Sequence, residues 1–253
     1  MTLSEPKDCM FYDGPCRMHR PGQMLQIFSL KLSKIPLDAG SIELYGYIAT
    51  QDILNPLLNY VVNFSRNDPI IVEQGSLIEM TGPKRGIELI DTTLIEYDMR
   101  IKTDASMAIV EQLTTVSRLD DAVEATIEVY ISEVRGSFSL CVGCLTSGLS
   151  HEIQLFDGAI DESCGLRRSV VAVVIDAWVD LNFKVSAGPS YGSGDAEHWC
   201  TFKAINHGWT SQLIKAEFAS ILVKKVGKTE RIEWLIILLV HGQEQGSGLL
   251  ADH

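Results

Sequence analysis

The chain has 253 residues, 46% of them hydrophobic and 21% charged, with 21 Lys and Arg against 33 Asp and Glu for a formal net charge of −12. Such a length suits one large all-β domain or two small ones, and so acidic a surface repels phosphate backbones, which argues against general nucleic-acid binding. The longest apolar run, Trp234 to Val240, is far short of the roughly 20 residues of a spanning helix, so no membrane span is expected.

The opening MTLSEPKDCMFYDGPC has no basic segment followed by an apolar run, so no secretory signal is expected and the protein reads as cytoplasmic or nucleocytoplasmic. In a reducing compartment Cys9, Cys16, Cys141, Cys144, Cys164 and Cys200 are thiols, not a disulfide framework. Residues 1–23 carry Pro6, Pro15, Pro21, Gly14 and Gly22 and no period, which predicts an extended N-terminal arm. An all-β domain is expected over 24–226, and a divergent strand and tail over 227–253.

Within that domain Phe28, Leu30 and Leu32 alternate with polar neighbours, then Ile42, Leu44 and Ile48, then Tyr60, Val62 and Phe64; each set predicts a strand. Leu77 to Lys102 reads as strand, turn, strand, strand: Gly82-Pro83-Lys84-Arg85-Gly86 has tight-turn chemistry, and Ile95, Tyr97, Met99 and Ile101 alternate with Glu96, Asp98, Arg100 and Lys102. The expectation is a hairpin-type turn with Lys84 and Arg85 as an exposed basic tip, a possible surface contact, and Ile95 to Ile101 with one buried face. Thr103 to Leu119 is the one place where a helix is expected, with Asp104 as cap and Met107, Val110 and Leu113 on one side.

Further along, Val123, Ala125, Ile127, Val129 and Ile131 give one of the cleanest alternations, and Arg135-Gly136 turns it into Ser137 to Leu145. His151 to Phe156 follows. Val170 to Val185 is long enough to bend or to be two strands, and Trp199 to Ala204, Gln212 to Val223 and Arg231 to Val240 complete the set. Similar wording at Glu96 to Ile101 and Asp180 to Val185 raises the alternative of two similar units, 26–103 and 122–187. About a dozen short strands with hairpin-length links predict an all-β fold, an antiparallel β-sandwich or distorted barrel, with at most one or two short helices.

The wording TGPKRGIELIDTTLIEYDMRIK, with FSLKLSKI, ELYGYIATQD, LNYVVNFSRNDPIIV, DAVEATIEVYISEV and LRRSVVAVV, resembles a grass-enriched plant family known as domain of unknown function 6598. The resemblance runs from about Leu25 to Val223; the tail after Val226 lies outside it. Members of that family stand alone or beside ribosome-inactivating rRNA N-glycosylase domains, so the resemblance implies a stress or defence setting. It brings no catalytic residues.

Candidate chemistry is sparse. Cys141-Val-Gly-Cys144 has C-x-x-C spacing, but on a strand residues three apart face opposite ways, so one metal meets both only if the strand bends or ends there, and core or surface cysteine is the better reading. Cys9, Cys16 and His19 are zinc-ligand types without a fourth partner, and read as loop residues. Asp157, Asp161, Glu162, Asp176 and Asp180 are candidate calcium oxygens that turn chemistry explains equally well. The Glu-x-x-Arg of an rRNA N-glycosylase is missing, since Ser220 stands three after Glu217 and Glu133 and Arg135 are two apart. No catalytic group, cofactor or metal is therefore expected. The reading is a non-catalytic interaction module with an unknown protein partner; the alternatives are a sugar- or lipid-binding module stacking ligand on Tyr45, Tyr47, Tyr191, Trp199 or Trp209, and an accessory to a ribosome-inactivating system with no active site of its own.

Overall fold

A computed structural model describes residues 10, 16, 19–34, 41–53, 55–73, 76–78, 80, 82–90, 92–102, 111–147, 149, 151–187, 195–227 and 247–248. Among them there is no helix, and the strand pairings described below are antiparallel. Over the described residues the fold is all-β and sandwich-like, and their strands form no closed barrel. The strands are β1 (Gly22–Lys34), β2 (Ser41–Asp52), β3 (Asn55–Phe64), β4 (Ile70–Glu73), β5 (Ile87–Glu88), β6 (Leu94–Ile101), β7 (Glu111–Ser132) and β8 (Phe138–Thr146). Then follow β9 (Ile153–Ile160), β10 (Cys164–Gly165), β11 (Ser169–Val174), β12 (Trp178–Ser186), β13 (Ala196–Lys203), β14 (Trp209–Lys215), β15 (Ser220–Val226) and β16 (Ser247–Gly248).

The chain divides into two compact units, one holding Gly22–Leu119 and the other Ser4–Pro21 with Asp120–His253. In the first unit β2 is central. It pairs with β3 and β4 over successive halves and with β6 along Leu44 to Gln51. Ile42, Leu44 and Ile48 from β2, Val61 and Val62 from β3 and Val72 from β4 pack with Ile27 and Leu30 of β1 and with Ile78 and Ile87. At Gly46 the β6 backbone leaves no room for a side chain: one there would stand 1.9 Å from the Asp98 carbonyl oxygen, and its φ of 121° favours glycine.

The second unit has two sheets. In one, Ala122 to Ile131 of β7 is paired on one edge with β11 and β10, while Thr126 to Ser132 is paired on the other with β15, beyond which lie β14 and β16. The other sheet runs β13-β12-β8-β9. Val123, Ala125, Ile127, Val129 and Ile131 are all buried, as are Leu140, Val142 and Cys144 of β8 and Leu181, Phe183 and Val185 of β12. Phe138 stacks on Phe218 with ring centroids 6.0 Å apart.

Four expectations about the strands need correction. Residues 111–119 are β7 and not helix, while Asp104, Met107 and Val110 lie outside the described residues. Gln212 to Val223 is not one strand but the hairpin β14–β15, closed where the Ala216 N–H donates to the Ala219 carbonyl at 2.9 Å. Glu217 and Phe218 at its tip carry no Gly, Asn or Pro signal. Leu77 to Lys102 is not a local hairpin, because Leu77 bridges Lys31, β5 pairs with β1, and β6 pairs with β2. The β6 face is the fourth, described below. Val170 to Val185 is two strands, β11 and β12, broken where Asp176 takes a φ of 62°. The strand expected at Arg231 to Val240 lies outside the described residues.

Lys225 of β15 is fully buried, and its ammonium donates to the carbonyls of Lys203 at 3.2 Å and Ile205 at 3.5 Å. Burial pulls its pKa from 10.5 down to about 8. Between those values the unfolded chain holds the extra proton, so stability rises with pH across the window. In urea unfolding, the wild type should gain about 2 kcal/mol on Lys225→Met between pH 7.5 and 10.5, allowing for partial solvent screening. A difference between the two proteins that is flat with pH would contradict this.

Candidate functional site

The turn expected to carry an exposed basic tip is built inward instead. Its anchor is Asp52, buried at the end of β2, whose carboxylate takes an ion pair from the Arg85 guanidinium and accepts the Glu88 N–H at 3.2 Å. Asn59 of β3 holds the other side, its Oδ1 accepting the Lys84 N–H at 2.7 Å and its Nδ2 donating to the Arg85 carbonyl at 2.9 Å. The Arg85 side chain is only 14% exposed, so it is a structural cation, and Lys84 is half-buried.

The surface that stands out in this unit is β6. On its core face Ile101 and Met99 pack against the hydrophobic cluster, opposite Leu44 and Gly46. The same face then runs past the core: Tyr97 is 75% and Ile95 47% exposed, and Leu94 on the opposite face is 49% exposed. The alternation was legible, but the expected burial of Ile95 and Tyr97 is wrong. Among the described residues nothing pairs with the outer edge of β6. On the opposite face of β6 the Asp98 and Arg100 side chains join in two hydrogen bonds of 2.8 Å.

In the second unit three ligand-type side chains converge. Cys16 and His19, both buried, belong to this unit although they precede β1, and His207 sits in the link between β13 and β14. Cys16 Sγ is 3.5 Å from His19 Nδ1, the His19 and His207 rings meet at 62° with centroids 5.3 Å apart, and the three ligand atoms lie within 4.8 Å of one another. The C-x-x-H spacing was visible in sequence. His207 was not, because nothing local links Asn206-His207-Gly208 to the N-terminal segment. Cys9 lies outside the described residues.

The remaining candidates separate. Cys141 lies half-buried beside Asp157 and Lys184 on one face of β8 and Cys144 is buried on the other, as strand geometry requires. Burial, then Asp157, raises the Cys141 pKa; burial raises that of Cys144 strongly and pushes Cys200 up to about 11. These thiols are therefore poor nucleophiles at neutral pH. The acidic groups are dispersed: Asp161 accepts from Ser137, Asp176 pairs with Lys203 at 2.8 Å, and Asp180 accepts from Thr201 at 2.7 Å.

Of the stacking candidates, Tyr45 lies beneath Arg66, Tyr47 meets Tyr60 edge-on and Trp209 lies beneath Lys224; Tyr191 lies outside the described residues. Trp199 stands 48% exposed beside Asn182, its cross-strand neighbour. Asn182 is buried and donates to Glu197 at 2.6 Å, but its Oδ1 has no hydrogen-bond partner. Glu152 lies flat over neighbouring Gly143, where a methyl group would be 1.7 Å from its Oε1.

A sequence profile of the domain of unknown function DUF6598 matches residues 24–115 and 112–224, two stretches that meet inside β7. No curated protein and no solved structure matches the chain.

The inward geometry of the turn is testable by a double-mutant cycle. Asp52→Ala removes the carboxylate that faces the largely buried Arg85 guanidinium and should cost on the order of 3 kcal/mol in urea unfolding. Adding Arg85→Met should recover part of that loss. Simple addition of two losses would mean that the pair is not coupled.

Proposed function

The chain belongs to the DUF6598 family, and we propose that it is a non-catalytic interaction module whose β6 edge takes up an extended, net-basic segment of a partner protein. The observation that carries this reading is the overhang of Ile95 and Tyr97 beyond the core, on a strand with one edge unpaired among the described residues. An added strand gains main-chain hydrogen bonds along such an edge and sets alternate side chains beside the exposed tyrosine and isoleucine. The net charge of −12 supplies the complement to a basic segment and steers its approach. A stress or defence role, supported by the resemblance alone, is part of the same proposal, as is a cytoplasmic or nucleocytoplasmic setting.

Peptides selected from a displayed random library on the wild-type protein should be basic and bind at micromolar affinity. They should lose at least about tenfold on Tyr97→Glu, a change at an exposed site that leaves the unfolding midpoint in place. Selection that yields no binder, or binders indifferent to Tyr97→Glu and Ile95→Glu, would sink the reading.

A second reading, a sugar-binding face, is favoured by Asn182 Oδ1, a buried acceptor without a partner beside exposed Trp199. Trp199 would stack on a pyranose ring while Asn182, Glu152 and Glu197 engage hydroxyls. A glycan array should then show signals that disappear with Trp199→Ala; an array silent on the wild type removes this reading.

A further inference from the structure

We propose that Cys16, His19 and His207 form a zinc site that ties the segment ahead of β1 to the link between β13 and β14. A thiolate and two imidazoles are a donor set that zinc accepts, and one that hard, oxygen-seeking calcium and magnesium do not. With Zn–S near 2.3 Å and Zn–N near 2.0 Å, tetrahedral ligand atoms stand roughly 3.3–3.6 Å apart. Cys16 Sγ and His19 Nδ1 are already at 3.5 Å. With all three atoms inside 4.8 Å, closing on an ion needs a shift of at most about 1.5 Å at His207, within the reach of a side-chain torsion.

The C-x-x-H spacing suits chelation from one turn of chain, and His19 is itself in a turn. On the other side the supporting link is held in place. The buried Lys225 ammonium donates to the Lys203 and Ile205 carbonyls, and the Gly227 N–H donates to the Gly208 carbonyl at 3.0 Å, so His207 hangs from backbone fixed on both flanks. Gly208, with φ of 86°, turns the chain directly after it. Three protein ligands leave a fourth position for water or another donor, the pattern of an open site. On binding, the Cys16 thiol gives up its proton to solvent and the sulfur bonds to the ion as thiolate; nothing is oxidised or reduced.

The site would act as a long-range clamp, because Cys16 and His19 lie far in sequence from His207. An ion that binds the folded chain and not the unfolded one raises stability with its concentration. The test uses the full chain, stripped with chelator and titrated with Zn²⁺ against a chromophoric competitor, then with Co²⁺ as a spectroscopic substitute. One equivalent of Zn²⁺ should bind, with a rise in the unfolding midpoint, and Co²⁺ should give thiolate charge-transfer absorption and the intense visible bands of a four-coordinate ion. Cys16→Ser should abolish the charge-transfer band, and His207→Ala should weaken binding at least about 100-fold while leaving the far-ultraviolet circular dichroism in place. Binding well below one equivalent by the wild type, or a one-equivalent site indifferent to both substitutions, would overturn the proposal. The wild-type titration decides even if a variant fails to fold. The β6 edge is in the other unit, so peptide binding there and zinc binding here stand or fall separately.

Discussion

The second unit depends on the double commitment of β7. From Ala122 to Ile131 its backbone is held by β11 and β10 on one side, and from Thr126 to Ser132 by β15 on the other. This run is bracketed by Asp121 and Glu133, whose φ values of 51° and 53° lie in the left-handed region, costly for side chains other than glycine and tolerated by aspartate. A slip of one residue would carry Val123, Ala125, Ile127, Val129 and Ile131 from the core to the opposite face. That face has its own requirement, since the Glu128 carboxylate is buried there and meets Arg168 at 2.6 Å. Apolar burial and an ion pair to a buried carboxylate thus select the same register. The division between the two units falls just before Asp121, where the strand leaves ordinary extended geometry.

Much of this was legible because a strand writes its two faces into alternate residues. The β7 pattern, Val123 to Ile131, is buried as read, and so are Ile42, Leu44 and Ile48 of β2. What alternation does not contain is the thing that covers a face. Ile95 and Tyr97 alternate as cleanly as Met99 and Ile101, yet only the latter two reach the hydrophobic cluster; the strand is longer than the core beneath it. The helix expected at Thr103 to Leu119 failed at 111–119 because spaced apolar residues in a short window fit either period, and tertiary pairing decided for strand. The β14–β15 turn went unseen because its strands, and not its tip residues, hold it closed.

The sites follow the same division between local and distant information. Strand period alone was enough to separate Cys141 from Cys144. The fate of Lys84-Arg85 was not local: a cation after proline at a glycine-bounded turn reads as an exposed tip, and Asp52, buried at the far end of β2, draws Arg85 inward. Burying that charge costs several kcal/mol unless partner and hydrogen bonds are both in place, which is why the Gly86 carbonyl also accepts from the guanidinium at 3.1 Å. His207 belongs to the same class. Half of the cluster was visible as Cys16-x-x-His19, and the other half was supplied by folding.

An exposed apolar strand edge is ordinarily a hazard, because it invites identical copies to pair. Here the strand carries its own restraint. Asp98 and Arg100 hold each other on the face opposite Ile95 and Tyr97, Lys102 at its end meets Glu43 at 3.4 Å, and Glu96 adds a further charge. Two copies of this edge approaching each other would bring together chains that each carry −12, a repulsion felt before any backbone hydrogen bond forms. The same charge is attractive to a basic segment. An edge that is apolar at Tyr97, backed by ion pairs on the opposite face and set in an acidic protein would, on the proposed reading, discriminate against itself while staying open to a segment of opposite charge, and discrimination of that kind needs the repulsive element as much as the attractive one.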